Sequence, residues 1–345
     1  MGLPFRDIVT PQELGWEALA GRTLAVDAYN AIYQFLATIR GADGSPFSDA
    51  QGAPTSHLMG VLYRTTGLLA QGVLPIWVFD GRPPELKAGT LRARFAAKER
   101  AETQWKEALA AGDLETARRK AAATSRLTRP MAEEAMQLLR ALGVPAIQAP
   151  SEGEAQAAAL AARGFVWGAA SEDYDSLLFG APRLVRGLAA RGRRGSAPGA
   201  QLIVREELLQ TLGISGEELL LVGLVVGTDF NEGAAGYGPK KALKLAQEHL
   251  GWDATLRKAG IDPDEVAPVA ELFRHPNVDP TPPPPFGPVD EEAVMRIVVE
   301  GHGFSQERVR AAVARARRRP PPTAAPAETR GHQTLLETFG GEGVP

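Results

Sequence analysis

Seven carboxylates stand out from the sequence by type and spacing: Asp27, Asp80, Glu152, Glu154, Asp173, Asp175 and Asp229. Hard divalent cations such as Mg²⁺, with Mn²⁺ as a substitute, take oxygen ligands, and carboxylates also offset the metal's charge. Two such ions a few ångströms apart activate water and stabilise the leaving oxygen of a phosphodiester. Asp173 and Asp175 suit that chemistry most directly. At the end of a strand, Asp-x-Asp sends both groups to one side, and two like charges there repel unless a cation lies between them. The others have ordinary readings too. Asp27 and Asp80 can be turn residues after strands. Ser151–Glu154 also reads as a capping box, with Glu154 reaching back to the helix start. Taken together, seven acids exceed what turns and caps require, and the metal reading prevails. Lys87 and Arg94, seven apart, share one helix face and can neutralise charge developing on a phosphate.

The elements that must position these residues are legible. Thr23–Asp27 (TLAVD), Pro75–Asp80 (PIWVFD) and Phe165–Ser171 (FVWGAAS) are short strand-like runs, and carboxylates close or follow each one. Between them lie helical patterns, clearest where Met131, Ala135, Leu138, Leu139 and Leu142 recur between Thr128-Arg129-Pro130 and Gly143. Strands alternating with helices predict an α/β domain around a mostly parallel central sheet, with ligands at the carboxyl ends of its strands. Residues 92–120, charged and Ala-rich, predict one or two protruding helices. Residues 217–226 predict an apolar helix leading to Gly227-Thr228-Asp229. The Pro run at 282–285 predicts a stiff extended loop. Residues 320–328 read as a linker before a short tail, and no repeat of 20–50 residues is visible.

The chain has 345 residues, no Cys and a formal net charge of −3. Disulfides, thiolate chemistry and Cys-based zinc sites are therefore excluded, which is compatible with a reducing compartment. The N-terminus lacks a signal-peptide pattern, and no run approaches a membrane span, so an intracellular, soluble protein without a membrane partner is expected. The small net charge conceals segregation. Residues 82–129 hold twelve Lys/Arg against six acids, while residues 130–180 hold seven acids against two Arg. Further Arg-rich segments lie at 183–205 and 305–319. Positive arms around an acidic centre suit a site that grips a polyanion by its edges and holds metal in the middle.

Three further segments carry expectations. Tyr33, on the helix after Asp27, is placed to stack an unpaired base, although most aromatics at helical spacing are core. Gly236-Tyr237-Gly238-Pro239-Lys240-Lys241 opens a helix and presents backbone N–H groups with two Lys to a phosphate backbone. Gln333, Leu336 and Phe339, three apart, can form one helical turn that docks into an apolar groove.

Assembled in order, these segments resemble the archaeal and eukaryotic flap endonuclease (XPG/flap endonuclease) family of structure-specific 5′ nucleases. The carriers are Val26-Asp27-Ala28 with Ile32–Leu36, Val78–Pro84, Ala149–Ala155, Glu172–Asp175 and Gly227–Asp229. The resemblance implies a PIN-like nuclease core, a helical gateway and cap, and a helix-three-turn-helix DNA clamp. By position it implies an N-terminal nuclease region at 1–107 and a cap at 108–129. An internal nuclease region at 130–225, a clamp and remaining core at 226–319, and a flexible tail at 320–345 follow. It implies 5′ flap cleavage in Okazaki-fragment maturation and base excision repair, with minor 5′ exonuclease activity. A mainly exonucleolytic or junction-cutting relative and a non-catalytic scaffold are the alternatives. Asp27, Asp80, Glu152 and Glu154 would surround one Mg²⁺, and Asp173, Asp175 and Asp229 a second. Lys87 and Arg94 would act with them on the scissile phosphate. Tyr33, Arg40, Thr55, Gly236, Gly238, Lys240, Lys241 and Arg308 would contact DNA, with K⁺ at the Gly236–Gly238 hairpin. Gln333, Leu336 and Phe339 would bind the sliding clamp (PCNA), although Gly340 replaces the usual second aromatic. The expected setting is a monomer in archaeal cytoplasm, or in the nucleus of a eukaryote. The Pro-rich loop at 276–288 matches nothing in the family pattern.

Overall fold

The computed structural model describes residues 3–188 and 200–320. Its centre is one seven-stranded sheet: β1 (Gln12–Leu14), β2 (Thr23–Asp27), β3 (Leu74–Phe79), β4 (Ala146–Gln148), β5 (Gly168–Ala170), β6 (Arg183–Arg186) and β7 (Ala200–Val204). The order is β1-β7-β6-β5-β2-β3-β4. The run β6-β5-β2-β3-β4 is parallel, whereas β7 pairs antiparallel with both β6 and β1. The three strands read from the sequence lie side by side at the centre.

Alternation along these strands divides the core into two layers. Ala25, Ile76, Val78, Ala169, Leu184 and Ile203 face one layer. Leu24, Val26, Trp77, Phe79, Ala170, Val185 and Leu202 face the other. All six residues of β3 are buried, the pattern of a strand covered by helices on both faces. Helices Ala28–Thr38, Ser56–Ala70 and Arg129–Ala141 cover one face, and Gly153–Ala162 and Gly216–Val226 the other. Local signals place their starts. Asp27 caps the first by accepting from Asn30 N at 3.0 Å. Ser215 and Glu218 form a reciprocal capping box on the last. Among the described residues no single helix is long and apolar enough to cross a membrane.

The charged segment forms two helices, Ala88–Ala110 and Leu114–Ala121, joined by a tight turn. The first has only Ala101 and Ala108 buried, so it projects from the core as its composition requires. The Pro-rich segment is a strap. Asp279 exchanges backbone bonds with the Gln156 side chain (2.7 and 2.9 Å), Gly287 N donates to Gly143 O at 3.0 Å, and Phe286 touches both core layers. Gln333, Leu336 and Phe339 lie outside the described residues.

Candidate active site

Asp27 closes β2, and Asp80 follows β3. Gly81 lets the chain beyond Asp80 pass against the turn after β4. A Cβ there would lie 2.0 Å from Ala149 O, and Gly81 N donates to Ser151 O at 2.7 Å. This contact brings Asp80 beside the start of helix Gly153–Ala162, where its Oδ1 accepts from Gly153 N at 2.8 Å. Glu152 occupies the N-cap position of that helix, yet makes no side-chain cap bond, because the Lys87 ammonium pairs with its carboxylate. Glu154 does not reach back to the helix start. Its Oε1 accepts from Ser171 Oγ at 2.8 Å, so the expected capping box is absent and the carboxylate turns toward the end of β5.

Asp173 and Asp175 do not lie on an extended strand end. Beyond β5 the chain turns, and Asp175 begins the short helix Asp175–Leu178. The turn still brings both groups to the site. Asp173 accepts from Asn30 Nδ2 at 3.0 Å, and Asp175 accepts from Leu3 N at 3.1 Å. Their neighbour Glu172 is directed elsewhere, accepting from Gly187 N at 2.7 Å. Asp229 arrives from the loop after Gly216–Val226. Arg94 pairs with its carboxylate, Lys87 lies 3.6 Å from it, and Thr90 Oγ1 donates to its carbonyl at 2.7 Å. Lys87, Thr90 and Arg94 thus form one face that meets the acids.

The carboxylates are linked electrostatically. Asp80 repels Glu152 and Asp27; Glu154 repels Asp27, Asp173 and Asp175; Asp175 also repels Asp229. Burial first, then these like charges, pushes Asp80 up to about 6 and Asp175 up to about 7. The same two causes hold Asp27 and Glu154 well above the carboxylate range. Burial pushes the Lys87 ammonium down, but Glu152, with Asp229 and Asp80, outweighs it and raises its affinity for the proton. Among the described residues no three acids or imidazoles are drawn tightly enough to enclose an ion unaided. The acids instead form a linked ring of oxygen donors short of positive charge, which fits hard divalent cations. Sequence reasoning missed Asn30, Ser171 and Thr90, the polar groups that fix these acids. The signal for Asn30 was its place three residues after a strand-end Asp.

The expected DNA contacts divide into two groups. Tyr33 is half-buried, with Lys98 Nζ 4.3 Å from its ring centroid. Gly236, in the left-handed region at φ +78°, and Gly238 lead into helix Pro239–Ala246, and Lys240 and Lys241 are exposed. Arg308 is exposed in the first turn of helix Gln306–Ala316. Arg40 and Thr55 have hydrogen-bond partners within the protein. Arg40 donates to Leu36 O (2.7 Å), Gly44 O (2.8 Å) and Ser125 Oγ (2.9 Å), tying the first helix to the cap's return. Thr55 is buried, and its N–H donates to Phe47 O at 2.7 Å.

Known proteins match this chain over most of its length. The XPG N-terminal domain matches residues 5–101 and the XPG I-region residues 143–229. The flap endonuclease 1 of Aeropyrum pernix is 43% identical over 356 aligned positions, covering 99% of this chain and all of the relative. That of Pyrococcus horikoshii is 43% identical, with 98% of each chain covered. The solved flap endonuclease-1 of Methanococcus jannaschii superposes with a TM-score of 0.74 at 38% identity, covering 92% of this chain and 98% of that one. The catalytic core of Rad2 in complex with DNA substrate shares the fold at a TM-score of 0.70 and 24% identity.

Proposed function

This chain belongs to the flap endonuclease family and is a structure-specific flap nuclease, and we propose that it hydrolyses 5′ flaps near the single-strand/duplex junction by a two-metal mechanism. The observation that carries this reading is the linked ring of seven carboxylates at the strand ends, faced by Lys87 and Arg94. Asp27, Asp80, Glu152 and Glu154 would hold one Mg²⁺, and Asp173, Asp175 and Asp229 the other, with Mn²⁺ a workable substitute. Bound there, the ions supply charge neutralisation at the scissile phosphate and make the attacking water more acidic.

The protein's own residues do the rest. Gly153 N orients Asp80, Asn30 orients Asp173, and Ser171 orients Glu154, so the ring is held before substrate arrives. Lys87, at the N-cap of helix Ala88–Ala110, and Arg94, in its second turn, have Glu152 and Asp229 as their resting partners. When a phosphodiester enters, they transfer their hydrogen bonds to its oxygens and counter charge as it builds. Tyr33 stacks the nucleotide beside the junction. Gly236–Lys241 and Arg308 grip duplex backbone, with K⁺ at the hairpin. The monomer would serve Okazaki-fragment maturation and base excision repair in an archaeal cytoplasm. Its Gln333–Phe339 segment would tether it to PCNA.

The test is a cleavage assay on 5′-flap, nicked, bubble and single-stranded DNA with and without Mg²⁺. Flap cleavage should dominate and require the metal. Equal cleavage of plain single strands would refute structure-specific action, and metal-independent turnover would refute the two-metal assignment.

A further inference from the structure

Helix Ala88–Ala110 has a second face that the hydrolytic chemistry leaves unused. Lys87, Thr90 and Arg94 meet Glu152 and Asp229. One residue beyond Arg94 is a rotation of about 100°, so Phe95 faces away from the carboxylates. It shares its own face with Lys98 and Glu102, three and seven residues on. Lys98 reaches over the Tyr33 ring at 4.3 Å, and Glu102 pairs with Arg126 at 3.1 Å. Arg126 also lies 5.1 Å from the Phe95 ring centroid. This face therefore looks across to helix Ala28–Thr38 and to the segment returning from the cap. Phe95 lines that passage 53% exposed, the most exposed of the large apolar side chains described.

A single exposed ring is ordinary on a protein surface, so what Phe95 can bind is decided by its neighbours. Lys98 and Arg126 flank it, and Arg92 and Arg94 lie on the same turn, within a segment of twelve basic and six acidic residues. An apolar protein partner has no use for that charge. A single nucleic acid strand matches both features, since its phosphates meet the cations and its bases have flat π-faces. We propose that Phe95 is a base-stacking platform for the displaced strand, so that Tyr33 and Phe95 engage successive parts of the flap as it leaves the carboxylate ring. This rests on the flap-cleavage reading above and adds a specificity residue to it.

The test is a binding cycle with the full-length, metal-free protein in EDTA, using 5′-flap DNA whose flap carries either bases or abasic sites. Phe95→Ala should weaken binding of the base-bearing flap by about tenfold, the order expected for one stacked base. On the abasic flap the same variant should cost less than about twofold, because no base remains to be lost. Phe95→Trp should retain wild-type affinity, and Phe95→Leu should behave like Ala if stacking rather than bulk matters. 2-Aminopurine moved stepwise along the flap should be quenched at one position by wild type and not by Phe95→Ala. Equal losses on base-bearing and abasic flaps, or a Leu variant equal to wild type, would overturn the proposal. A wild-type protein that binds flapless nicked duplex as tightly as flapped duplex would instead refute the functional reading beneath it.

Discussion

Replacing Asp175 with Asn should abolish cleavage and, in the same step, stabilise the metal-free protein. The side chain is 4% exposed, and burial followed by repulsion from Asp173 and Asp229 lifts its carboxyl from 3.8 to about 7. A carboxyl with a raised folded value binds its proton more tightly folded than unfolded. Stability is therefore lost as pH rises between those two values, and the full penalty stands above the higher one. Three units at 1.36 kcal/mol each give about 4 kcal/mol at pH 8, falling below about 2 kcal/mol at pH 5. The pH 8 figure is an upper bound, because the neighbouring acids share the repulsion, so about 2–4 kcal/mol is expected. Asn keeps the oxygen that accepts from Leu3 N, so no hydrogen bond offsets the gain. Urea denaturation in EDTA from pH 5 to pH 8 reads the effect as a midpoint shift at constant slope. Added Mg²⁺ should stabilise wild type more than the variant and narrow the gap. A variant no more stable than wild type at pH 8, or a gap that does not change with pH, would refute the account of the ring as repelling buried charge.

Three other outcomes follow from the same structure. Arg40→Ala should cost roughly 2 kcal/mol of stability, because its partners Leu36 O, Gly44 O and Ser125 Oγ lose a charged donor. DNA affinity of the folded variant should fall less than about threefold; a large affinity loss at unchanged urea midpoint would make Arg40 a DNA contact instead. The double change Lys240→Ala/Lys241→Ala should weaken duplex binding regardless of sequence and reduce the salt slope of log K by up to about 2. An unchanged slope would remove the pair from the backbone grip. His302 lies between Asp49 (2.7 Å) and Glu134 (2.6 Å), with His57 also on Glu134 at 3.5 Å. Burial pushes His302 down, but its bonds to Glu134 and Asp49 prevail and raise it, whereas burial drives His57 down to about 4. The His302 contribution is thus complete below pH 6.5 and fades as pH rises through its raised value, while His57 opposes folding as pH falls below 6.5. His302→Gln should therefore lose most stability near pH 6 and little at pH 9; a loss constant with pH would rule out the ionic bridge.

Much of the fold was legible because the acids sit where local patterns are strongest. Β-branched and aromatic runs ending in Asp mark β2 and β3, and their burial on both faces matches the unbroken apolar sequence. Three other short strands were not legible. Ala146–Gln148 and Gln12–Leu14 have three residues each, too few for a period to register, and Arg183–Arg186 begins and ends in Arg. Two local patterns are not realised as their letters suggest. Ser151–Glu154 has the letters of a capping box, but Ser171, seventeen residues on, captures Glu154. Asp-x-Asp has the spacing of a strand edge, but a four-residue helix starts at its second member. At Glu154 a contact from outside the sequence window overrode a local preference, and at Asp175 a local helix start replaced the strand edge.

The same competition explains why the net charge of −3 said so little about a DNA partner. Seven acids are concentrated in one ring, and the rest of the chain, taken without them, is net positive. Glu152 and Asp229 already draw Lys87, and Asp229 draws Arg94, so part of the basic surface is turned inward at rest. A phosphate competing for those two side chains leaves Glu152 and Asp229 with uncompensated charge, which makes a cation at the ring more favourable. Substrate and divalent metal are therefore expected to bind with positive coupling. Metal affinity should rise when DNA is present and DNA affinity should rise by the same factor when metal is present. Calorimetric titration of Ca²⁺ into a cleavage-resistant flap complex and into free protein measures that factor. Equal affinities in the two titrations would mean that Lys87 and Arg94 keep their carboxylate partners when the phosphodiester arrives.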